Sequence, residues 1–298
     1  MLTSLSQIVD LAKEKGSVPF VVAGAHSHKI LKAVLHAREL KIMRPILIGD
    51  EKKIMNLAEA LETSLDDVRI IQETEDSRIA EIAASLLQSG DAKALMKGDI
   101  VTSTLLKCVL KKEYGLRSGQ LLSHVAFLEI PAYHKLLLMT DGGVIVEPDL
   151  NQKIAMLNNA LHVARTLGIN APKVAVLAAT EKVNANMPET EHAAELVRLN
   201  RQGEFGDAIL EGPLAFDIAI SSEAAEIKHF ESRIAGEVDL LLMPNISCGN
   251  IWAKGLIYLG DAKICGVVTG ARIPIALISR AEREETWLTS IALSALLS

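Results

Sequence analysis

Short apolar runs alternate with amphipathic segments along almost the whole chain, and this alternation constrains the fold more than any other feature. PFVVAGA (19–25) reads as a strand and is followed by the helical segment HKILKAVLHAREL. RPILIGD (44–50) is a second strand and ALMKG (94–98) a third, with the helix TSTLLKCVLKKEYG behind it. KVAVLAA, DAILEGP, VDLLLMPN, KICGVVTG and IPIALIS continue the series. Strands separated by helical patterns predict βαβ units and mainly parallel sheets. LLSHVAFLEI and HKLLLMTDG break the rule, because strand follows strand across Pro131, so these two are expected to pair. Helices are expected at the N-terminus, with Leu5, Ile8, Val9 and Ala12 on its apolar face, over 149–167, and over 282–297 at the end of the chain. Hydrophobic residues make up 49% but aromatics only 3%, so Ala, Val, Leu and Ile fill the core. That suits parallel strands covered by helices on both faces. At 298 residues the chain exceeds one small core, and the change of pattern between 120 and 145 marks the crossing between two domains.

The charge balance narrows the partners. Lys plus Arg number 31 against 37 Asp plus Glu, a net of −6. This disfavours a nucleic-acid partner, which needs a broad basic surface, while leaving room for an anion held by a few local cations. No run of about 18 apolar residues predicts a membrane span, and the N-terminus lacks the pattern of a secretory signal. Cys108, Cys248 and Cys265 form neither a disulfide framework nor a zinc spacing. A cytoplasmic protein with reduced thiols is expected. His26-Ser27-His28 offers two imidazoles without a third ligand, so no metal is expected.

In parallel sheets ligands collect at the carboxyl ends of strands, so the residues after each strand are the candidates for a site. Thr102 and Ser103 open a helix after Lys97-Gly98, with Lys107 one turn on. They read either as phosphate donors at a helix N-terminus or as ordinary caps. Arg117-Ser118 stands between Gly115 and Gly119 and offers a forked cation and a hydroxyl, or simply a polar loop; Ser123-His124 lie just beyond. Asp217, Asn245 and Asn250 follow apolar strands and read as ligand contacts, with Asp217 and Asn250 alternatively as helix caps. Ser279-Arg280 end the last strand, and Glu282, Glu284 and Glu285 follow where a helix dipole favours acids. No Walker loop, G-x-G-x-x-G fingerprint or G-x-S-x-G elbow is present.

Several segments in one order resemble the phosphate acetyl/butyryltransferase family: KGDIVTSTLLKCVLKKEYGLRSGQLLSHVAFLEIP, PKVAVLAATEKVNANMP, LEGPLAFDIAIS, DLLLMPNISCGNIWAKGLIYL, GVVTGARIPIALISRAE and the closing SIALSA. The resemblance spans nearly the whole chain, and LLSHVAFLEIP and GPLAFD look closer to the butyryl-type members. It implies an α/β, two-domain fold of the isocitrate/isopropylmalate dehydrogenase type with an interdomain active-site cleft. Domain I would comprise 1–122 and 267–298, with 123–266 inserted as domain II. It also implies reversible acyl transfer between CoA and inorganic phosphate, with butyryl-CoA as the expected substrate and acetyl or branched acyl groups as variants. CoA, acyl-CoA, phosphate and acyl phosphate would be substrates, with no tightly bound cofactor, and the chain would form a homodimer or larger homo-oligomer.

The residue types suit that chemistry. Thr102, Ser103, Lys107, Arg117 and Arg280 can supply the donors and cations phosphate needs, and Ser118, Ser123, His124, Asp217, Asn245 and Asn250 complete the expected substrate-binding set. Ser279-Arg280 match the family's Ser-Arg pair, the serine supporting the transition state and the arginine binding substrate. In the acetyl-type enzymes an aspartate one or two turns later is proposed to deprotonate CoA; here Thr286 stands at that position. Glu285 or Glu284 is expected to replace it, or electrostatics alone to suffice. Two other readings remain: a metal-dependent hydroxyacid dehydrogenase on the same fold, and an acyl-CoA-binding protein without turnover.

Overall fold

The structure, a computed structural model, describes residues 2–278 and 282–298. Two compact units divide the chain. One is formed by Ser6–Gln120 with Cys265–Ser298, the other by Leu121–Ile264 with the N-terminal residues through Leu5. The divisions fall two residues before the expected 122/123 and 266/267, and the first residues group with the inserted segment instead. The cause is local: the Leu5 amide donates to the Glu129 carboxylate at 2.7 Å, and the Leu136 amide donates to the Leu2 carbonyl at 3.0 Å.

In the first unit, helix α1 (Leu5–Lys15) buries Leu5, Ile8, Val9 and Ala12, as its spacing predicts. There follow β1 (Val18–Ala23), α2 (His28–Glu39), β2 (Met43–Gly49), α3 (Glu51–Ala60), β3 (Arg69–Gln72), α4 (Asp76–Ser89), β4 (Ala94–Lys97) and α5 (Thr102–Val109). β1 pairs in parallel with β2 on one side and β4 on the other, and β3 adds to β2. The chain therefore winds outward from β1 and then returns across it. That reversal, at the carboxyl ends of β1 and β4, is a topological switch point, where such sheets place ligands.

The second unit opens with β5 (Ser123–Glu129) antiparallel to β6 (Leu137–Thr140), the expected strand pair. α6 (Leu150–Thr166), β7 (Lys173–Leu177), α7 (Pro188–Arg201), β8 (Ile209–Leu214), α8 (Phe216–Ile220), α9 (Ser222–Ile227), β9 (Leu240–Leu242) and α10 (Ile246–Leu259) follow. The sheet order is β5-β6-β9-β7-β8, all parallel except β5. α6 starts with a capping box in which Asp149 and Gln152 bond reciprocally. On one face Leu177, Leu214, Ile218, Leu241 and Met243 pack with Ala253 of α10, and Phe216 meets Trp252 edge to face.

β10 (Lys263–Thr269), β11 (Ile275–Ala276) and α11 (Glu284–Leu296) then close the first unit, β11 lying parallel to β4 and antiparallel to β10. The sequence IPIALIS contributes only two ladder residues, although Ile278 remains buried. β3 carried no strand signal, because its four residues are only half covered at the sheet edge.

At the amino edge of the second unit, Lys135 (3% exposed) donates to Asp239 Oδ1 at 2.6 Å and to the Glu237 carbonyl at 2.8 Å. Asp239 Oδ2 accepts the Lys173 amide at 2.8 Å, and Tyr133 donates to the Val238 carbonyl at 2.8 Å. This network ties the starts of β6, β9 and β7 together. Lys135→Ala leaves Asp239 without its cation, and urea unfolding is expected to show a loss of about 3 kcal/mol.

Candidate active site

At the switch point of the first unit, two backbones touch because both carry glycine. A Cβ on Gly98 would lie 2.1 Å from the Gly24 carbonyl oxygen, and one on Gly24 2.7 Å from that of Asp99. The Gly98 and Asp99 amides donate to the Ala23 and Gly24 carbonyls at 2.8 and 2.7 Å. This contact fixes the loop that leads into α5. Its N-cap position is Val101, with no side-chain cap, so neither Thr102 nor Ser103 is an ordinary cap of this helix. The first-turn amides of α5 and the Thr102 and Ser103 hydroxyls stand at the carboxyl edge, with exposed Lys107 on the next turn. Beyond them Arg117 makes a single antiparallel bridge with Ala271, and the Ser118 hydroxyl donates to the Gly270 carbonyl. Nearby, the enclosed Nδ1 of His26 has no hydrogen-bond partner and sits against Gly49.

In the second unit the carboxyl edge is organised by Asp141, which the sequence reading did not single out. Its carboxylate is 1% exposed and accepts three amides: Gly143 at 2.6 Å, Val144 at 2.8 Å and His124 at 2.8 Å. Gly142 abuts Gly249 of α10, where a Cβ would lie 2.5 Å from the Asp141 carbonyl oxygen. Asn250 donates its side-chain amide to the Gly142 carbonyl at 3.1 Å, and Asn245 caps α10 through the Cys248 amide at 3.0 Å. His124 and Asn250 thus meet at one turn. The cap of α10 is Asn245, not Asn250 as expected, because Asn250 lies inside the helix and its side chain is taken by the Gly142 carbonyl. Ser123 is buried and held by Asn159, whose side chain also reaches the Leu121 carbonyl.

The His124 ring lies over Gly143 with Nδ1 enclosed and unpartnered. Burial holds its pKa below the ordinary imidazole value, with the Asp141 charge opposing the shift. Asp217 stands apart: Lys228 donates to it at 2.8 Å and to Glu181 at 3.4 Å. The Lys228 hydrogen bond lowers the Asp217 pKa. Lys153 and His192 form a third polar pair at 3.2 Å, and burial lowers the pKa of both.

The family profile described as Phosphate acetyl/butaryl transferase matches residues 77–295. The chain belongs to this family. It is 39% identical to phosphate butyryltransferase of Clostridium acetobutylicum over 100% of this chain and 99% of that one. It is 37% identical to phosphate acetyltransferase of Thermotoga maritima over 98% of each. The branched-chain phosphotransacylase of Enterococcus faecalis V583 superimposes with a TM-score of 0.84 at 31% identity, covering 94% of this chain and 98% of that structure.

Ser279 and Arg280, the Ser-Arg pair expected of a family member, lie outside the described residues. Downstream, Glu284 forms an ion pair with Lys32 at 2.9 Å, Glu285 occupies an exposed first turn of α11, and Thr286 is buried. Asp141 had a faint signal in the sequence: Thr-Asp-Gly-Gly after an apolar strand is a polar turn at a carboxyl end. Gly249→Ala forces a methyl group against the Asp141 carbonyl, and thermal denaturation is expected to show a loss of about 1–3 kcal/mol.

Proposed function

We propose that this chain is a phosphate acyltransferase that moves a short acyl group reversibly between CoA and inorganic phosphate, with butyryl-CoA as the expected acyl donor. Full-length identity to a phosphate butyryltransferase carries this reading. The polar carboxyl edges of both units agree with it. In the forward direction a phosphate oxygen attacks the thioester carbon, the carbon–sulfur bond breaks, and acyl phosphate and CoA are released.

Thr102, Ser103 and Lys107 at the start of α5, with Arg117 and Arg280, are the donors and cations proposed for phosphate and the CoA phosphates. Ser279 is the proposed donor to the carbonyl oxygen as it becomes an oxyanion. Ser118, Ser123, Asn245 and Asn250 have structural bonds of their own, so their proposed part is to hold the loops that contact substrate. Asp217 is neutralised by Lys228, so its proposed contact comes through that ion pair. Of the two acids in the first turn of α11, Glu284 pairs with Lys32, and Glu285, which stands exposed, is the proposed group at the CoA sulfur. CoA and phosphate act as substrates, and the reading calls for no bound cofactor. Among the described residues no helix is long and apolar enough to cross a membrane, in keeping with the proposed cytoplasmic location. The two-unit α/β architecture is proposed to be of the isocitrate/isopropylmalate dehydrogenase type. A homodimer or larger assembly is proposed as well. α10 supports it with an unpaired apolar face, where Ile251, Tyr258 and Leu259 are 71%, 72% and 91% exposed and a Cβ on Gly255 would meet nothing.

A thiol-release assay across acetyl-, propionyl-, butyryl-, isobutyryl- and valeryl-CoA tests the reading. Release that depends on phosphate and peaks at four carbons is expected; release coupled to no phosphate consumption rules the transferase out. Arg280→Ala is expected to raise the KM for phosphate or CoA at least tenfold. Unchanged KM values for both remove its binding role. Glu285→Gln is expected to lower kcat by about 10²-fold, and near-normal turnover takes Glu285 out of proton transfer.

A further inference from the structure

Two basic side chains meet inside the second unit. Lys153, near the start of α6, is 3% exposed, and its Nζ lies 3.2 Å from Nδ1 of His192 on the second turn of α7. An ammonium only donates hydrogen bonds, and so does a protonated imidazole. The contact is therefore a hydrogen bond only while one of the two groups is neutral. Lysine is much the stronger base, so the neutral member is His192, with Lys153 donating to it. Among the described residues His192 is the one hydrogen-bond partner of Lys153, and no carboxylate forms an ion pair with it. A buried lysine is seldom left without an acid; here a neutral imidazole stands in that place.

The titratable groups that face this pair are Glu147 ahead of α6, Asp149 at its cap, Glu189 and Glu191 in the first turn of α7, and the Cys248 thiol on α10. None of them is hydrogen-bonded to either member. The acids favour a second proton on the pair; burial opposes it most, and the Lys153 charge opposes it next. Both helices start at the carboxyl edge, because α6 follows β6 and α7 follows β7 in the parallel set. α7 has no side-chain cap at Met187. Its first turn is stitched to the preceding loop instead: the Thr190 hydroxyl donates to the Met187 carbonyl at 2.7 Å and accepts the Asn184 amide at 2.9 Å. The end of the loop is thus tied to the start of α7, and the Lys153–His192 bond is a polar fastening between that start and α6.

We infer that this contact is an acid-released latch between α6 and α7. With His192 neutral it holds the start of α7, and with it the loop 178–187, against α6. A proton on His192 turns the bond into a meeting of two cations in a buried place and releases both segments. Burial holds the His192 pKa below the ordinary imidazole value, so an unfolded chain takes up this proton before the folded one does. The latch is therefore complete above about pH 6.5, where the imidazole of an unfolded chain titrates, and it is lost as pH falls below that value. This device goes beyond the acyltransferase reading and is tested without turnover.

Hydrogen exchange of the full chain, corrected for the intrinsic effect of pH on amide exchange, reads the latch directly. Protection across 184–195 is expected to fall about fivefold or more between pH 7.5 and pH 5. His192→Asn places a side-chain oxygen where Nδ1 stands, and that oxygen accepts from Lys153 at either pH. In this variant the fall is expected to shrink to about twofold or less. Lys153→Met removes the opposing cation, so the His192 ring, followed by NMR, is expected to titrate at higher pH than in the wild type. Wild-type protection that does not change with pH overturns the latch, and so does an undiminished fall in His192→Asn. A His192 midpoint that stays or drops in Lys153→Met also overturns it, and this readout stands even where His192→Asn fails to fold. A wild type that releases no thiol with phosphate refutes the acyltransferase reading and leaves these three outcomes to decide the latch.

Discussion

A parallel strand cannot be followed directly by its neighbour; the chain must travel back over a helix before the next one starts. Both units obey this constraint, and the placing of their loops depends on it. Every helical return brings a loop to the same edge of its sheet. The Gly24–Gly98 crossing, the uncapped start of α5 and the Asp141 turn are all such loops. The short reversal between β5 and β6 adds His124 to that edge, because the start of an antiparallel strand lies beside the end of its partner.

The two edges of the second unit differ in how completely their polar groups are used. At the amino edge, Lys135, Asp239 and Tyr133 are joined in a bonded network that links three strands. At the carboxyl edge, Asp141 is saturated but Thr140 Oγ1 and His124 Nδ1 beside it are enclosed and unpartnered. Buried polar groups are usually satisfied, so the contrast marks the amino edge as the one whose polar groups hold the sheet together.

Much of the fold was legible in the sequence because its signals were periodic. The strand–helix alternation, the β5–β6 pair and the apolar face of α1 are all written in residue spacing. β3 escaped because a half-covered edge strand of four residues has no long apolar run, and β11 shrank because buried, apolar residues need not join a ladder. The candidate site was legible only by residue type. Which polar side chains are already engaged depends on tertiary contacts: Lys228 takes Asp217, Asn245 caps α10, and Lys32 takes Glu284. Asp141 was missed because, beside the Gly143 and Val144 amides of its own turn, it takes the His124 amide from the paired strand, and no linear motif records that third bond.

The bare N-terminus of α5 has a consequence for how the protein breathes. α6 and α10 begin with side chains that lock their first turns, Asp149 and Asn245 respectively. α5 begins with Val101, whose amide donates to the Asp76 carboxylate at 2.9 Å but whose own side chain caps no first-turn amide. The amides of its first turn are therefore expected to exchange with solvent water sooner than those of the two capped helices. An anion seated on that turn would supply the missing acceptor. Hydrogen-exchange protection there would then report occupancy directly, making the backbone of α5 a gauge of substrate binding that needs no label and no turnover.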